Sequence, residues 1–406
     1  MGAQALGAPL GNTCAKPAGP AQTAHWSAVL AMTLCVFALI ASEFMPVSLL
    51  TPIAADLGVS EGRVGQGIAI SGAFAVLMSL FVARLAGGVD RRTLLLALTA
   101  LMAISGTVVA LAPSYGVYML GRALIGVVVG GFWSLSAATA MRLVPAPQVP
   151  RALAIFNSGN ALAAVVAAPL GSYLGAIIGW RGAFLCLVPV ALIALAWQWI
   201  CLPSMLAQPR RAEAGNAVRL LQHRAVALGM LAVSMFFMGQ FALFTYLRPF
   251  LETVTKVEVA TLPLMLLTLG AAGLVGTTLI GRLLKWHFYG TLVAIPVVMA
   301  LIALALTIFG SKVAAVTALL GLWGLVATAA PVGWWAWLAR TLPGDAEAGG
   351  GLMVAVVQLA IALGSTAGGW LFDASGYQGA FAASAGMLVV ASLVTVLTAR
   401  VDAHQK

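Results

Sequence analysis

Charge is what this chain has least of. Only 8% of its 406 residues are Asp, Glu, Lys or Arg, against 62% hydrophobic, and the mean hydropathy is +1.04. A soluble domain carries about 25% charged residues, so this composition reads as an integral membrane protein. Cysteine and histidine are as sparse. The four cysteines, Cys14, Cys35, Cys186 and Cys201, are scattered without CxxC spacing, and the four histidines, His25, His223, His287 and His404, fall at segment ends or in loops. That pattern implies neither a disulfide framework nor a metal site. No Gly-rich phosphate cradle, no Ser–His pairing in reach and no cluster of His, Cys and carboxylate at membrane depth supplies an enzyme with an active site, and no cofactor is called for. A pore would need rings of charge or filter loops, and none are written in the sequence.

What is there is a succession of long apolar runs. Twelve segments can be marked off by polar or turn residues, at roughly 26–50, 64–83, 93–112, 115–141, 152–178, 183–202, 225–248, 261–284, 288–309, 313–339, 349–371 and 379–399. Each is about the 20 residues a helix needs to cross the hydrocarbon core. The expectation is an all-α membrane protein of twelve transmembrane helices. An even number puts both termini on one side. With that side inside, the inner loops and tails hold 15 basic residues and the outer ones 5 (Arg63, Arg181, Arg248, Lys256 and Lys312), while acidic residues divide evenly, 5 and 5. The positive-inside rule thus makes both termini cytoplasmic and explains the net charge of +10 without a nucleic-acid partner.

Residues 1–25, rich in Ala, Gly and Pro with the one basic residue Lys16, lack the layout of a cleavable signal peptide and read as a disordered cytoplasmic tail. The one long connection, 203–224, divides a bundle at 26–202 from a second at 225–400, with 401–406 as a short cytoplasmic tail. A repeat supports the division: Gly179-Trp180-Arg181-Gly182-Ala183-Phe184 recurs as Gly376-Tyr377-Gln378-Gly379-Ala380-Phe381, 197 residues later. With six helices per unit the halves share one orientation, the parallel-repeat plan of two-times-six transporters.

Two charged residues are left inside these segments, Glu43 and Arg122. Glu43 opens Glu43-Phe44-Met45-Pro46, and Pro46 has no amide hydrogen to give the carbonyl of Ser42, four residues back. Counted from the outer ends at 1.5 Å per residue, Arg122 lies about 10 Å deep and Glu43 about 12–18 Å. A charge in hydrocarbon costs at least about 2.5 kcal/mol, so the two are expected to form a pair or share one polar network. Glu43 reads either as a proton-carrying carboxyl or as a fixed clamp between helices, and Arg122 likewise. Gly126, Val129 and Trp133 share a stripe with Arg122, and Gly126 and Gly130 make a small-xxx-small pair suited to close helix packing. In the seventh segment Phe237, Gln240 and Phe244 fall on one face, an amide among rings that suits a flat heterocycle or serves as interhelical glue. Asn157, Asn160 and Gln358 carry the same two readings.

These residues resemble a known family. The Arg-x-x-x-Gly stripe of the fourth segment and Ala168-Pro169-Leu170-Gly171 of the fifth are similar to the drug:proton antiporter branch of the major facilitator superfamily. Glu43 to Pro52, Gly130-Gly131-Phe132-Trp133-Ser134, Met141-Arg142-Leu143-Val144-Pro145, Gly239-Gln240-Phe241 and Pro331-Val332-Gly333-Trp334 resemble, more narrowly, bacterial purine ribonucleoside efflux pumps. The resemblance implies export of nucleosides such as inosine and guanosine, and purine analogues, driven by inward proton flow, and the leading expectation is a monomeric, multi-pass antiporter of the bacterial inner membrane. On the residues themselves, the leading expectation makes Glu43 and Arg122 the proton-coupling pair. Sugars or amphipathic drugs are the alternative substrates. The superfamily's cytoplasmic gating loop survives here only in Arg91 and Arg92; Ala83, Gly87 and Asp90 stand where glycine, aspartate and glycine are usual, with Asp90 a candidate replacement for the missing acid.

Overall fold

A computed structural model describes residues 24–85, 88–205, 219–342 and 346–404. The tail through residue 23 with Lys16, most of the 203–224 connection with Arg210, Arg211 and Glu213, and Gly87, Asp345 and Lys406 lie outside the described residues. All described elements are helical, as an apolar chain requires when every backbone group must find its partner without water. They are α1 Trp26–Leu57, α2 Glu61–Leu85, α3 Arg91–Ala110, α4 Tyr115–Arg142, α5 Val149–Cys201, α6 Arg224–Phe244, α7 Leu247–Thr253, α8 Leu262–Trp286, α9 Phe288–Phe309, α10 Val313–Ala327, α11 Ala330–Thr341 and α12 Ala346–His404. Among the described residues, nine helices or near-continuous helix pairs are long and apolar enough to cross a membrane.

Two of these are too long for one crossing, and each bends once. α5 runs 53 residues and turns at Gly179 (φ 74°), while α12 runs 59 and turns at Gly376 (φ 69°). Those two glycines open the motif that recurs 197 residues apart. A positive φ is open to glycine at little cost, and since nothing lies within 4 Å of where a side chain would sit, conformation and not space demands glycine there. α1 also ends on a left-handed glycine, Gly58 (φ 63°), whose amide reaches back to the Ala54 carbonyl.

Helix bounds correct the expected segments in three places, one of them the tenth, which breaks at Thr328–Ala329 between α10 and α11. α1 continues past residue 50 through Pro52 to Leu57, so it contains both prolines. The seventh segment breaks at Thr245–Tyr246 and resumes as α7, so Arg248, expected in an outer loop, is a helical residue with 6% exposure.

Buried side chains form one cluster drawn almost wholly from residues 220–394 and two drawn from residues 28–205 with Tyr246. α1 packs along α5, α6 along α12, and α2 lies between α4 and α12. Glycines set these close approaches. A side chain at Gly126 or Gly130 would meet the α2 backbone at Ser71 or Ala75, and one at Gly364 or Gly368 would meet α6 at Met238 or Ala242. Large apolar side chains such as Ile200, Trp286 and Trp370 point outward, as lipid-facing residues do.

Candidate functional site

The site begins with the two prolines of α1. Pro46 leaves the Ser42 carbonyl without a helical donor and Pro52 does the same to Ser48, because each proline lacks the amide that would close the i to i−4 bond. A buried arginine takes each of them. From α4, Arg122 donates through Nη1 to the Ser42 carbonyl at 2.8 Å, through Nη2 to the Glu43 carbonyl at 2.9 Å and through Nε to the Gly67 carbonyl of α2 at 3.1 Å. From α7, Arg248 donates through Nη1 to the Ser48 carbonyl and through Nε to Glu252 at 2.7 Å. Hydrogen bonds from a charged donor are worth about 1.5–3 kcal/mol each, and here they spread the guanidinium charge over carbonyl dipoles where lipid would leave it bare.

The expected link between Glu43 and Arg122 is therefore made through backbone. Arg122 holds the Glu43 carbonyl, and among the described residues no ion pair joins it to the Glu43 carboxyl. That carboxyl, on a residue only 2% exposed, accepts instead from Gln358 Nε2 of α12 at 3.2 Å. Gln358, expected as a substrate or packing amide, thus belongs to the Glu43 site, and its own Oε1 is enclosed with no hydrogen-bond partner. Tyr118, one turn from Arg122 on α4, is likewise buried with its hydroxyl unpartnered, and it lies so close to Gly67 that a side chain there would strike it.

The residue after Glu43 joins α1 to α6 through aromatic contacts. Phe44 faces Phe241 at 5.6 Å between ring centroids, and Phe241 meets Phe244 edge-on at 5.9 Å. Gln240 sits half-buried on the same helix with its Oε1 enclosed and unpartnered. The neighbouring candidate, Phe237, packs edge-on against Phe236 in the core. Trp133 turns edge-on to Phe156 within the bundle of the first half, and Val129 between it and Arg122 is fully buried. That stripe does not present one continuous face to a cavity. Asn157 is exposed and donates to the Leu153 carbonyl of its own helix, and Asn160 is exposed. So the structure joins Glu43, Arg122 and Gln358, sets Gln240 and Phe244 with these aromatic contacts, and leaves Trp133, Phe237, Asn157 and Asn160 apart.

At the end of the bundle that carries Asp90, the loop candidates bind within the first half. Asp90 caps α3 by accepting the Arg92 amide at 2.9 Å, and it also takes the Met205 amide at 2.8 Å and the Ser204 hydroxyl. Arg92 donates to the Trp199 carbonyl, and the Arg91 amide to the Met205 carbonyl. Partial burial pulls the Asp90 carboxyl upward, but the hydrogen bonds from Ser204, Met205 and Arg92, with the Arg92 charge, outweigh it and hold it below the usual carboxylate value. Asp90 ties the start of α3 to Ser204 and Met205, just past the end of α5.

At the opposite end the two halves meet in contacts that local sequence reading passed over. Asp373 of α12 accepts from the Ser60 hydroxyl at 2.6 Å and the Gly62 amide at 3.1 Å, at the N-terminus of α2. Tyr246 fills the space beside Gly65 and Gly369 and donates to the Ser365 carbonyl. The local signal available was the run of small residues Gly62, Gly65 and Gly67 in α2.

The sequence profile of the Major Facilitator Superfamily matches residues 32–349. A Pseudomonas aeruginosa protein named transcription regulatory protein OpdE is 68% identical over 384 residues, which cover 94% of this chain and 96% of that one. The purine ribonucleoside efflux pump NepI of Salmonella paratyphi C is 40% identical over 377 residues, 93% of this chain and 95% of the pump. Among solved structures, the nucleoside transporter NupG superposes with a TM-score of 0.74 at 12% identity over 91% of this chain and 98% of its own. The human organic anion transporter MFSD10 does so with a TM-score of 0.65 at 17% identity, over 92% and 100%. Those two likenesses carry the fold alone. With the family profile spanning most of its length and relatives matched nearly end to end, this chain belongs to the Major Facilitator Superfamily.

Proposed function

We infer that the chain is a proton-driven exporter of purine ribonucleosides, with twelve membrane passes in two parallel halves and both termini in the cytoplasm of a bacterial cell. The observation that carries the reading is the buried carboxyl of Glu43, set inside a membrane helix of one half and held by an amide of the other. An ionisable group so placed is costly unless it has work to do, and a contact between halves that rock past one another is where a proton can be linked to the stroke. Enclosed acceptor oxygens on Gln240, next to Phe241 in sequence, and on Gln358, bonded to Glu43 next to Phe44 in sequence, suit a flat heterocycle that brings N–H donors to its edge and a π-face to rings. The name of the Salmonella relative supports that substrate class.

In this cycle the carrier, open inward with Glu43 ionised, accepts a nucleoside between the halves and rocks outward. Glu43 then takes a proton from outside, the nucleoside leaves, and the protonated carrier returns. The proton gradient is the sole driving force, one chain suffices, and no cofactor takes part.

Uptake of labelled inosine into inverted membrane vesicles tests this, with and without an imposed proton gradient, for the native chain and Glu43→Gln. Gradient-dependent accumulation that the variant loses is expected. Inosine that does not move, with the protein shown to be folded and inserted, sinks the substrate; movement undiminished in the variant sinks the role of Glu43. The name of the Pseudomonas relative favours a second reading, a membrane sensor that acts on transcription. A sensor gives no net flux in reconstituted liposomes, whereas an exporter does.

A further inference from the structure

The Glu43 site has a feature that a simple clamp between helices would not need. Arg122 gives three of its N–H groups to the carbonyls of Ser42, Glu43 and Gly67, and the hydrogen bond to the Glu43 carboxyl comes from Gln358. Gln358 in turn uses only its nitrogen. Its Oε1, on a residue 8% exposed, has no donor, and leaving a buried acceptor unpaired is costly. A carboxylate cannot relieve that oxygen, because an ionised carboxyl offers acceptors only; a protonated carboxyl has one O–H to give.

We propose that Gln358 is the positioning residue that couples the proton on Glu43 to the contact between the two halves, by forming with the protonated carboxyl a two-bonded acid–amide pair. With Glu43 ionised, the bridge from α1 to α12 is one hydrogen bond, Nε2–H to carboxylate, with the Gln358 oxygen unmatched. A proton arriving from water settles on the second carboxyl oxygen, and its O–H donates to Gln358 Oε1 while Nε2–H still donates to the other oxygen. The bridge gains a bond. The charged groups that reach α1 around the pair are few: Arg122 from α4, bonded to three backbone carbonyls, and Arg248 from α7, bonded to the Ser48 carbonyl and to Glu252; α2 contributes the Gly67 carbonyl and α6 sets the Phe241 ring against Phe44. The proton thus tightens the arrangement seen here, in which α12 also holds the N-terminus of α2 through Asp373.

This rests on the proton-carrying reading of Glu43 and extends it: the protonated carrier favours the conformation for its empty return, and a nucleoside edge competes with Gln358 only when Glu43 is ionised. The test needs no substrate. Infrared difference spectra between high and low pH are taken on the purified full chain in lipid, with Glu43→Gln to identify the Glu43 band. The native chain is expected to show a Glu43 carboxyl stretch at the low frequency of a strongly hydrogen-bonded acid. Gln358→Met, which keeps volume and removes both bonds, and Gln358→Asn, which withdraws the amide by one methylene, are expected to move that band upward, Met further than Asn. A band at unchanged frequency in both variants overturns the role of Gln358 and leaves proton uptake by Glu43 standing. No Glu43-dependent band in the native chain overturns the proton reading, and the pair with it.

Discussion

Arg122 shows at the scale of one residue how a full charge is held at membrane depth without a facing carboxylate. Its planar fork delivers three N–H groups in fixed directions to carbonyls on two other helices, which a point charge on a flexible stem does not reproduce. Replacing Arg122 with Lys keeps the charge and loses that geometry. The expected result is a loss of about 1–3 kcal/mol of stability, read as a lower thermal midpoint of the lipid-reconstituted protein, with Arg122→Gln no better. If Lys is as stable as Arg, charge alone is what matters there. Much of this was legible beforehand: a lone Arg and a lone Glu in apolar runs had to face protein, and Pro46 had to free the Ser42 carbonyl. What sequence could not give was which part of Glu43 the guanidinium would take, since backbone and side chain of one residue lie within a few ångströms and only three-dimensional packing chooses between them.

The same logic repeats along α1 at the scale of the element. Pro46 and Pro52, six residues apart, open carbonyls at Ser42 and Ser48, and the helix is then fastened at the first by Arg122 of its own half and at the second by Arg248 of the other. The Pro52 effect follows from the rule that exposed Ser42, but its donor was hidden, because Arg248 lies beyond the helix break at Thr245–Tyr246 and looked like the start of a loop. In contrast, the bends of α5 and α12 were written plainly: each falls on the glycine that opens the recurring motif, where only a residue tolerant of positive φ serves. A double-mutant cycle examines the proline–arginine link. Pro52→Ala restores an amide that competes for the Ser48 carbonyl, so Arg248→Ala should cost less in that background than in the native one, with a coupling of about 1 kcal/mol or more in thermal or denaturant unfolding. Strict additivity would mean that Arg248 gains nothing from the freed carbonyl.

For the whole molecule, the contacts between halves determine which conformation this is. Side-chain hydrogen bonds from Gln358, Arg248 and Asp373 join residues before 205 to residues after 219. They lie at mid-depth or at the end opposite Asp90, which the proposed orientation makes the outer end, and they hold the halves together there. Periodicity and composition reveal which residues face protein but not which distant face they meet, and pairs such as Ser60 with Asp373, 313 residues apart, leave no local trace. The Asp373 carboxylate ties the N-terminus of α2, where unpaired amides and the helix dipole favour an anion, to α12. Removing it should loosen the outer closure without touching Glu43, Gln358 or the contact of Phe44 with Phe241. With the native cysteines replaced and a single Cys introduced at Gly65, which abuts Tyr246 in the closed form, labelling by a membrane-impermeant maleimide from outside should rise several-fold in an Asp373→Ala background and far less in Asp373→Asn, which keeps an acceptor oxygen. A second Cys position at Gln66, half-buried beside Tyr115, guards against strain at the glycine. Equal labelling of both positions with and without Asp373 would show that the outer end is held by packing around Tyr246 and by Arg248, and that the carboxylate adds nothing to the closure.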